Sequence, residues 1–451
     1  MRKFLLLSDI AVLYASLITT LFVRYGFSAR DSFENHLFPF SVIFLVWLLA
    51  MYIAGLYEHR LLHNRREFFE SLGQAATAAT VISIIFFYTV PAFGITPKTN
   101  LLIFAGVFLV LEAAARYFIN RMLAQGADKN VLIVDDGPES LELARTIRDN
   151  PQMGYVVASM VRTGQPTLTP DEPTEFPVLP GPGELETFLA YRDVDTVVIG
   201  PRAYAMPEFI DGLFDSLGRG TNFTDLATFT ERLTGKVPVT SINQVWFLEN
   251  LTEGSKRPFE AAKRVVDIVF SIAAGTIVLA LFPVIALAIR MDSPGPVLFR
   301  QRRTGKGGTP FNIVKFRTMV ANAEATSGAV WAADKDPRVT RLGRILRLTR
   351  IDELPQLWNI LRGQMSLVGP RAERPELERE IVRGVPFYRQ RYLVKPGLSG
   401  WAQIRYRYGA SVQDALEKLQ YDLFYIKNRS LLLDLEIILK TIAISLRQQG
   451  R

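Results

Sequence analysis

The chain has 451 residues, a formal net charge of +8 and no cysteine, and its three histidines (His36, His59 and His63) all lie near the N-terminus. Disulfides, thiolate nucleophiles and Cys-containing zinc sites are therefore excluded. Chemistry in the C-terminal half is limited to carboxylates, Lys, Arg and hydroxyls, which suits magnesium-assisted phosphoryl transfer and excludes a Ser-His-Asp triad or a His-ligated metal there.

Four apolar stretches, 4–23, 37–56, 75–93 and 101–122, are each close to the length that spans a bilayer. The first is too long for a removable signal peptide and lacks a small-residue cleavage site. Arg2 and Lys3 precede the first stretch, and Arg60, Arg65 and Arg66 lie between the second and third. Arg116, Arg121 and Lys129 mark the end of the fourth, whereas the loop after the third carries only Lys98. The positive-inside rule then predicts a four-helix transmembrane bundle, residues 1–127, with both ends in the cytoplasm. Glu112 and Arg116 are four apart and are expected to pair. No ionisable pathway crosses the bundle, which argues against a transporter.

After Gly126 short strands and helices alternate: 131–134 and 156–161 read as strands, 139–149 as a helix, and 196–199 as a further strand. The alternation predicts a Rossmann-like α/β domain over 128–255. Its first turn, Asp135-Asp136-Gly137-Pro138, lacks G-x-G-x-x-G and puts two carboxylates where a pyrophosphate would lie. A structural or regulatory role is expected for this domain. The proline-rich stretch 165–182 reads as a loop.

A fifth apolar segment, 265–289, has Lys263-Arg264 before it, Arg290 after it and Pro283 inside it. Proline removes a backbone hydrogen bond and kinks a helix, and basic flanks favour one side of the membrane for both ends. A re-entrant helix over 264–290, broken at Pro283, is expected in place of a fifth crossing. Asp267 is expected to pair with Lys263 or Arg264.

The C-terminal part, 256–451, carries the densest motifs. In Thr349-Arg350-Ile351-Asp352-Glu353-Leu354-Pro355, adjacent carboxylates open a helix, with Asp352 as its N-cap and Gly363 as its end. Phosphate oxygens are held by the same kind of environment, free backbone N–H groups among cations. Arg341, Arg344, Arg347 and Arg350 recur every three residues and form a stripe suited to anionic headgroups. The apolar run 431–446, with Asp434, Glu436 and Lys440 interspersed, suits a helix lying on the membrane.

Three further segments complete an ordered set: Pro310–Met319 with Lys315 and Arg317, Val368-Gly369-Pro370-Arg371, and Lys395-Pro396-Gly397-Leu398-Ser399-Gly400-Trp401-Ala402-Gln403. This set resembles the monotopic phosphoglycosyl transferases, bacterial sugar transferases, and the whole chain resembles their large form. The run Tyr406-Arg407-Tyr408-Gly409-Ala410-Ser411 with Tyr421-Asp422 resembles the branch that initiates exopolysaccharide synthesis. The resemblance implies a mostly helical monotopic catalytic domain that transfers a sugar 1-phosphate from a UDP-sugar to undecaprenyl phosphate. UMP would be released and undecaprenyl diphosphate sugar formed, at the bacterial inner membrane with the soluble domains on the cytoplasmic side.

It further implies Asp352 as nucleophile in a covalent phosphosugar intermediate, and Glu353 as its partner or, with Asp352, as a ligand of Mg2+. Lys315, Arg317, Arg347 and Arg371 would bind phosphate, and Trp401 and Gln403 would shape the sugar-nucleotide pocket, with a plain core role the alternative for Trp401. Membrane lipids are expected partners, nucleic acid is not, and a homodimer stays open. The sequence departs from the family at Phe282-Pro283, where a serine is common, and at Pro370-Arg371-Ala372, where a second proline is common. The rival readings are a membrane glycosyltransferase that releases UDP and a membrane-anchored nucleotide sensor.

Overall fold

In the computed structural model the described residues are 2–26, 29–57, 66–90, 98–125, 129–164, 175–251, 256–321, 323, 336–406, 409 and 411–446. Arg60, Arg65, most of the proline-rich stretch, Arg407, Tyr408 and Ala410 lie outside them. The chain forms two compact units, Met1–Thr224 and Asp225–Arg451.

The first unit begins with four apolar helices, α1 (Arg2–Tyr25), α2 (Ala29–Ile53), α3 (Arg66–Thr89) and α4 (Lys98–Gln125), which share one core. Ala75, Ala76 and Ala79 make the buried face of α3 small, and small faces let helix backbones approach closely. Opposite them, Trp47 packs edge-on against Phe108 at 4.8 Å and donates its indole N–H to Ser83 Oγ at 3.2 Å. The expected Glu112–Arg116 pair forms at 2.8 Å, and a third member joins it that the sequence spacing did not announce. Asp9 of α1 meets Arg116 at 2.6 Å, so one buried guanidinium ties the first span to the fourth.

A five-stranded sheet follows, in the order β3-β2-β1-β4-β5. Its strands are β1 (Lys129–Val134), β2 (Tyr155–Val161), β3 (Val178–Leu179), β4 (Thr196–Ile199) and β5 (Asn222–Asp225), interleaved with α5 (Pro138–Asp149), α6 (Pro182–Tyr191) and α7 (Pro207–Phe214). β1 pairs in parallel with β2 and β4, and β2 with β3, as the alternation predicts. Strand order reverses between β1 and β4, where such sheets bind ligands. Here Asp135 fills that end of β1: its Oδ1 accepts from Gly137 N and Thr163 Oγ1, each at 3.0 Å. A Cβ at Gly200 would lie 2.1 Å from Asp135, so glycine is required beside it.

The second unit starts ahead of residue 255, where the sequence put the domain boundary. The helices α8 (Leu226–Thr234) and α9 (Gln244–Asn250) precede α10 (Arg257–Asp292), and the segment between them is held within this unit. Val237 N donates to Gln420 O at 3.1 Å, and Lys427 pairs with Glu231 at 2.7 Å. α10 is the fifth helix long and apolar enough to cross a membrane, and only a small share of it is buried. Beyond it come the antiparallel pair β6 (Leu298–Thr304) and β7 (Pro310–Phe316), then α11 (Arg341–Leu348), a 3-10 helix over Ile351–Gln356 and α12 (Leu357–Leu361). β8 (Ser366–Val368), α13 (Pro375–Gly384), β9 (Gly397–Ser399), α14 (Trp401–Arg405), α15 (Val412–Asn428) and α16 (Leu431–Leu446) complete the unit.

The expected pairing of Asp267 with its basic neighbours is replaced by ties to other elements. Asp267 accepts from Leu367 N at 2.9 Å and Ser366 Oγ at 3.1 Å, Lys263 bonds Asp434 of α16, and Arg264 caps the last carbonyls of α12. The polarity of α16 is inverted relative to a soluble helix: Asp434 is buried while Leu432 is 81% exposed.

Replacing Arg116 by Met would leave the carboxylates of Asp9 and Glu112 buried without their cation. We expect a loss of about 3–5 kcal/mol, the usual cost of breaking a buried ion pair from one side, read as a lowered unfolding midpoint of the purified full chain in lipid nanodiscs.

Candidate active site

The Asp-Glu pair lies in the 3-10 helix Ile351–Gln356, two positions further in than expected. Asp352 is not the N-cap; Arg350 occupies that position with φ +59, a left-handed conformation that non-glycine residues seldom adopt. The turn at Arg350 lets the chain leave α11 and re-enter a helix at once, carrying Asp352 and Glu353 inward, where both are buried. Pro355 lies inside this helix, and α12 runs on to a left-handed Gly363, the predicted stop.

β7 supplies the opposing cation. Side chains alternate along a strand, so Ile313 and Lys315 share one face, and Ile313 is part of the core. Asn359 of α12 sets the register: its Oδ1 accepts from Val314 N at 3.1 Å and its amide donates to Asn312 O at 2.7 Å. It thus acts as a short extra strand beside β7. Lys315 Nζ then meets Glu353 Oε1 at 2.8 Å, with Arg371 at 3.5 Å from the same oxygen and Arg350 at 3.8 Å from Oε2. Burial works against a charge on Glu353, but Lys315, Arg371 and Arg350 outweigh it and hold the carboxyl well below the usual range. Burial also pushes the Lys315 ammonium down, opposed by Glu353 and reinforced by Arg371.

Asp352 has the opposite balance. Burial, then the neighbouring Glu353, push its pKa up to about 6 against the pull of Lys315, Arg347 and Arg350. Its Oδ1 is buried and has no hydrogen-bond partner among the described residues. Arg347 is fixed by a bond from its Nε to Thr318 Oγ1 at 2.8 Å. That contact depends on Gly343, where a Cβ would lie 2.1 Å from Thr318 O. Two carboxylates thus share the field of four cations, a surplus of positive charge that suits a diphosphate.

Arg371 sits on a loop held by its backbone. Arg391 donates to Arg371 O at 3.1 Å, Arg303 to Ala372 O at 3.1 Å, and Thr304 N to Glu373 O at 3.0 Å. The rigidity that a proline after Arg371 would supply comes from these three bonds. Arg391 is itself buried against Asp422 at 2.8 Å, a role for Asp422 that the sequence did not reveal.

Other predicted residues are spent elsewhere. Arg317 donates to Ser293 O at 2.6 Å and Pro294 O at 2.9 Å, closing the end of α10. Trp401 is core: it donates to Gly235 O at 2.8 Å, stacks on Phe424 at 5.5 Å and is covered by Arg405 at 4.4 Å. Gln403 keeps a buried Oε1 without a partner among the described residues. Pro283 lies within α10, next to Phe282, whose ring packs on Phe316 at 5.7 Å.

Among the described residues no three His, Asp or Glu side chains gather at one point as a metal site. Magnesium needs fewer: it keeps waters and is commonly bound through one or two carboxylates plus substrate phosphates. The unpartnered Asp352 Oδ1 beside Glu353 fits that demand.

Comparison with known proteins gives the same region a family. The model for bacterial sugar transferases matches residues 259–448, and a model described as a CoA-binding domain matches residues 52–200. A UDP-glucose:undecaprenyl-phosphate glucose-1-phosphate transferase of Xanthomonas campestris pv. campestris is 32% identical over 362 residues, covering 75% of this chain and 72% of its own. The chain belongs to the bacterial sugar transferase family. It is also 44% identical over 216 residues to a UDP-N-acetylgalactosamine-undecaprenyl-phosphate N-acetylgalactosaminephosphotransferase of Aeromonas hydrophila, covering 47% of this chain and 49% of that protein. A UDP-glucose:undecaprenyl-phosphate glucose-1-phosphate transferase of Caulobacter vibrioides is 45% identical over 182 residues, 40% of this chain and 68% of its own. The matched segment therefore spans about half of the Aeromonas protein.

The raised pKa of Asp352 has a consequence for stability. The folded chain binds this proton more tightly than the unfolded one, so the cost is absent below the unfolded value and complete above about pH 6. Asp352→Asn is expected to stabilise the protein by up to about 2–3 kcal/mol near pH 8, with the gain vanishing near pH 4, measured as unfolding midpoints against pH.

Proposed function

We propose that this protein transfers a sugar 1-phosphate from a UDP-sugar to undecaprenyl phosphate, releasing UMP and forming undecaprenyl diphosphate sugar at the start of exopolysaccharide synthesis. The observation that carries the reading is the asymmetry of the pair. Glu353 is neutralised by Lys315, Arg371 and Arg350, while Asp352 keeps a buried carboxylate oxygen with no hydrogen-bond partner among the described residues and a pKa suited to being ionised yet basic near neutrality. The donor class follows the names of the relatives, which specify UDP-glucose and UDP-N-acetylgalactosamine. The membrane is the site of the reaction, with the soluble parts on its cytoplasmic face.

In this mechanism an Asp352 carboxylate oxygen attacks the phosphorus bearing the sugar. The bond from that phosphorus to the bridging oxygen breaks, and its electron pair leaves with UMP. Lys315, Arg371 and Arg347 hold the phosphate oxygens as charge builds on them. Glu353 stays ionised and keeps Lys315 and Arg371 oriented. An oxygen of undecaprenyl phosphate then attacks the same phosphorus and expels the Asp352 carboxylate. Mg2+, held by Asp352 and Glu353, would offset charge on the departing phosphate.

α10 is read as re-entrant. Arg264 at its start bonds Ile360 O, whose neighbour Asn359 holds Val314 N; three residues along the chain from Val314, Arg317 bonds Ser293 at the end of α10. Polar groups linked this directly belong on one side of a hydrocarbon layer roughly 30 Å thick, which supports a bend at Pro283.

Four measurements test these readings. With UDP-sugar and magnesium alone, UMP should appear as a burst of about one equivalent of enzyme, because the first half-reaction needs no lipid; EDTA should abolish it. UDP as the released nucleotide would refute the transfer. Turnover of wild type should fall as pH drops through about 6, where Asp352 takes up its proton. Asp352→Asn should lose turnover and the phosphosugar adduct, and an adduct on another residue would overturn the assignment. For topology, single cysteines at Leu248 and Arg300 should both resist an impermeant thiol reagent in intact cells; labelling at Arg300 alone would mean a full crossing.

A further inference from the structure

At the start of α10, away from the Asp352–Glu353 pair, a small cavity with many charged side chains in its lining lies between α10, β8, the segment Val394-Lys395 ahead of β9 and the end of α15. Its charged lining is Glu260, Lys263, Arg264, Asp267, Lys395 and Arg429, an excess of cations. Most of these are already satisfied. Lys263 is paired with Asp434, Arg429 with Glu260, Asp267 accepts from Ser366 and Leu367, and Arg264 caps α12. Lys395 is the exception: among the described residues no hydrogen bond or ion pair engages its ammonium, although it is partly buried. Burial and the nearby Arg264 push its pKa down.

The geometry brings a second cation to it. Arg264 Nη2 and Lys395 Nζ each lie 3.6 Å from the point where a Cβ would stand on Gly363, so the two nitrogens are at most about 7 Å apart, a span that two oxygens of one phosphate group can bridge with ordinary hydrogen bonds. The absence of a side chain at Gly363 keeps that point open. Immediately along α10, Val265, Val266 and Val269 are exposed, and on α16 so are Leu431, Leu432 and Leu435. An unpaired cation beside exposed apolar helix surface matches an amphiphile with an anionic head and apolar tails.

We infer that this cavity binds the phosphate head of a membrane lipid, with Lys395 and Arg264 as its ligands. The inference rests on the membrane contact of α10 in the proposed function and not on the transfer chemistry. It gives the second unit a lipid-phosphate site separate from the catalytic pair, fixed to the start of the membrane helix. A surface charge of this kind is worth on the order of 1 kcal/mol near a membrane, about fivefold in affinity.

The test uses the full chain in nanodiscs with spin-labelled phosphatidylglycerol or phosphatidylcholine, reading the motionally restricted fraction. Wild type should restrict phosphatidylglycerol in preference to phosphatidylcholine. Lys395→Gln should cut that preference about fivefold, and Lys395→Arg should restore it. Undecaprenyl phosphate added in the same assay distinguishes the source. If it displaces the label at near-stoichiometric amounts, the site takes the acceptor lipid; if it competes only in proportion to its share of the lipid, the site takes bulk anionic phospholipid. Equal preference in wild type and Lys395→Gln would overturn the inference, as would displacement by inorganic phosphate with no lipid preference. Loss of restriction for phosphatidylcholine as well would count against the membrane reading of α10 itself.

Discussion

Two adjacent carboxylates buried in one pocket repel each other strongly, and the rest of the second unit is arranged around that repulsion. A low-dielectric site tolerates them only if cations fix the charge on one and leave the other adjustable. Glu353 is the fixed member. Lys315, Arg371 and Arg350 reach it from a strand, a loop and the turn before it, so each of those elements has to be positioned independently. Asn359 docks α12 on β7, and the carbonyls of Arg371, Ala372 and Glu373 are each held from outside the loop. The polar bonds that look like ordinary packing therefore place charge at the pair.

The left-handed Arg350 belongs to the same logic. A regular α-helix running on through Thr349 and Arg350 would keep turning by about 100° per residue, and the left-handed Arg350 interrupts that progression. Restarting the chain as a new 3-10 turn resets its direction, so that Asp352 and Glu353 are both buried and Arg350 lies 3.8 Å from Glu353. A non-glycine residue in this conformation costs energy that the surroundings must offset, which is the pattern of strain at a functional centre.

Much of this was legible in the sequence, and the failures share a cause. Helices, strands and the Asp352–Glu353 turn are local: apolar runs, alternation and the glycine at 363 mark them directly. Lys315 and Arg371 emerged from the resemblance, and the structure brings both to Glu353. Arg317 and Trp401 come from the same motifs yet serve backbone and core, because a motif gives residue type and spacing but not the direction of a side chain. The helix cap was misplaced by two positions because a left-handed arginine has no sequence signature. Asn359, Asp422 and the link from Asp9 to Arg116 act across large separations along the chain, beyond the reach of periodicity.

The departures from the family pattern show how such a site tolerates substitution. Alanine after Arg371 gives up the restraint of a proline ring, and three hydrogen bonds to the loop's carbonyls, two of them from arginine side chains, impose a restraint from neighbouring segments. Phenylalanine before Pro283 gives up a hydroxyl that could satisfy a freed carbonyl, but its ring packs on Phe316 at the end of the strand that carries Lys315. The part of α10 beside Pro283 is thereby coupled through apolar contact to the strand that sets the charge on Glu353. Buried charge and inserted helix are two parts of one packing problem, and the side chains that join them are Phe282, Phe316 and Arg317.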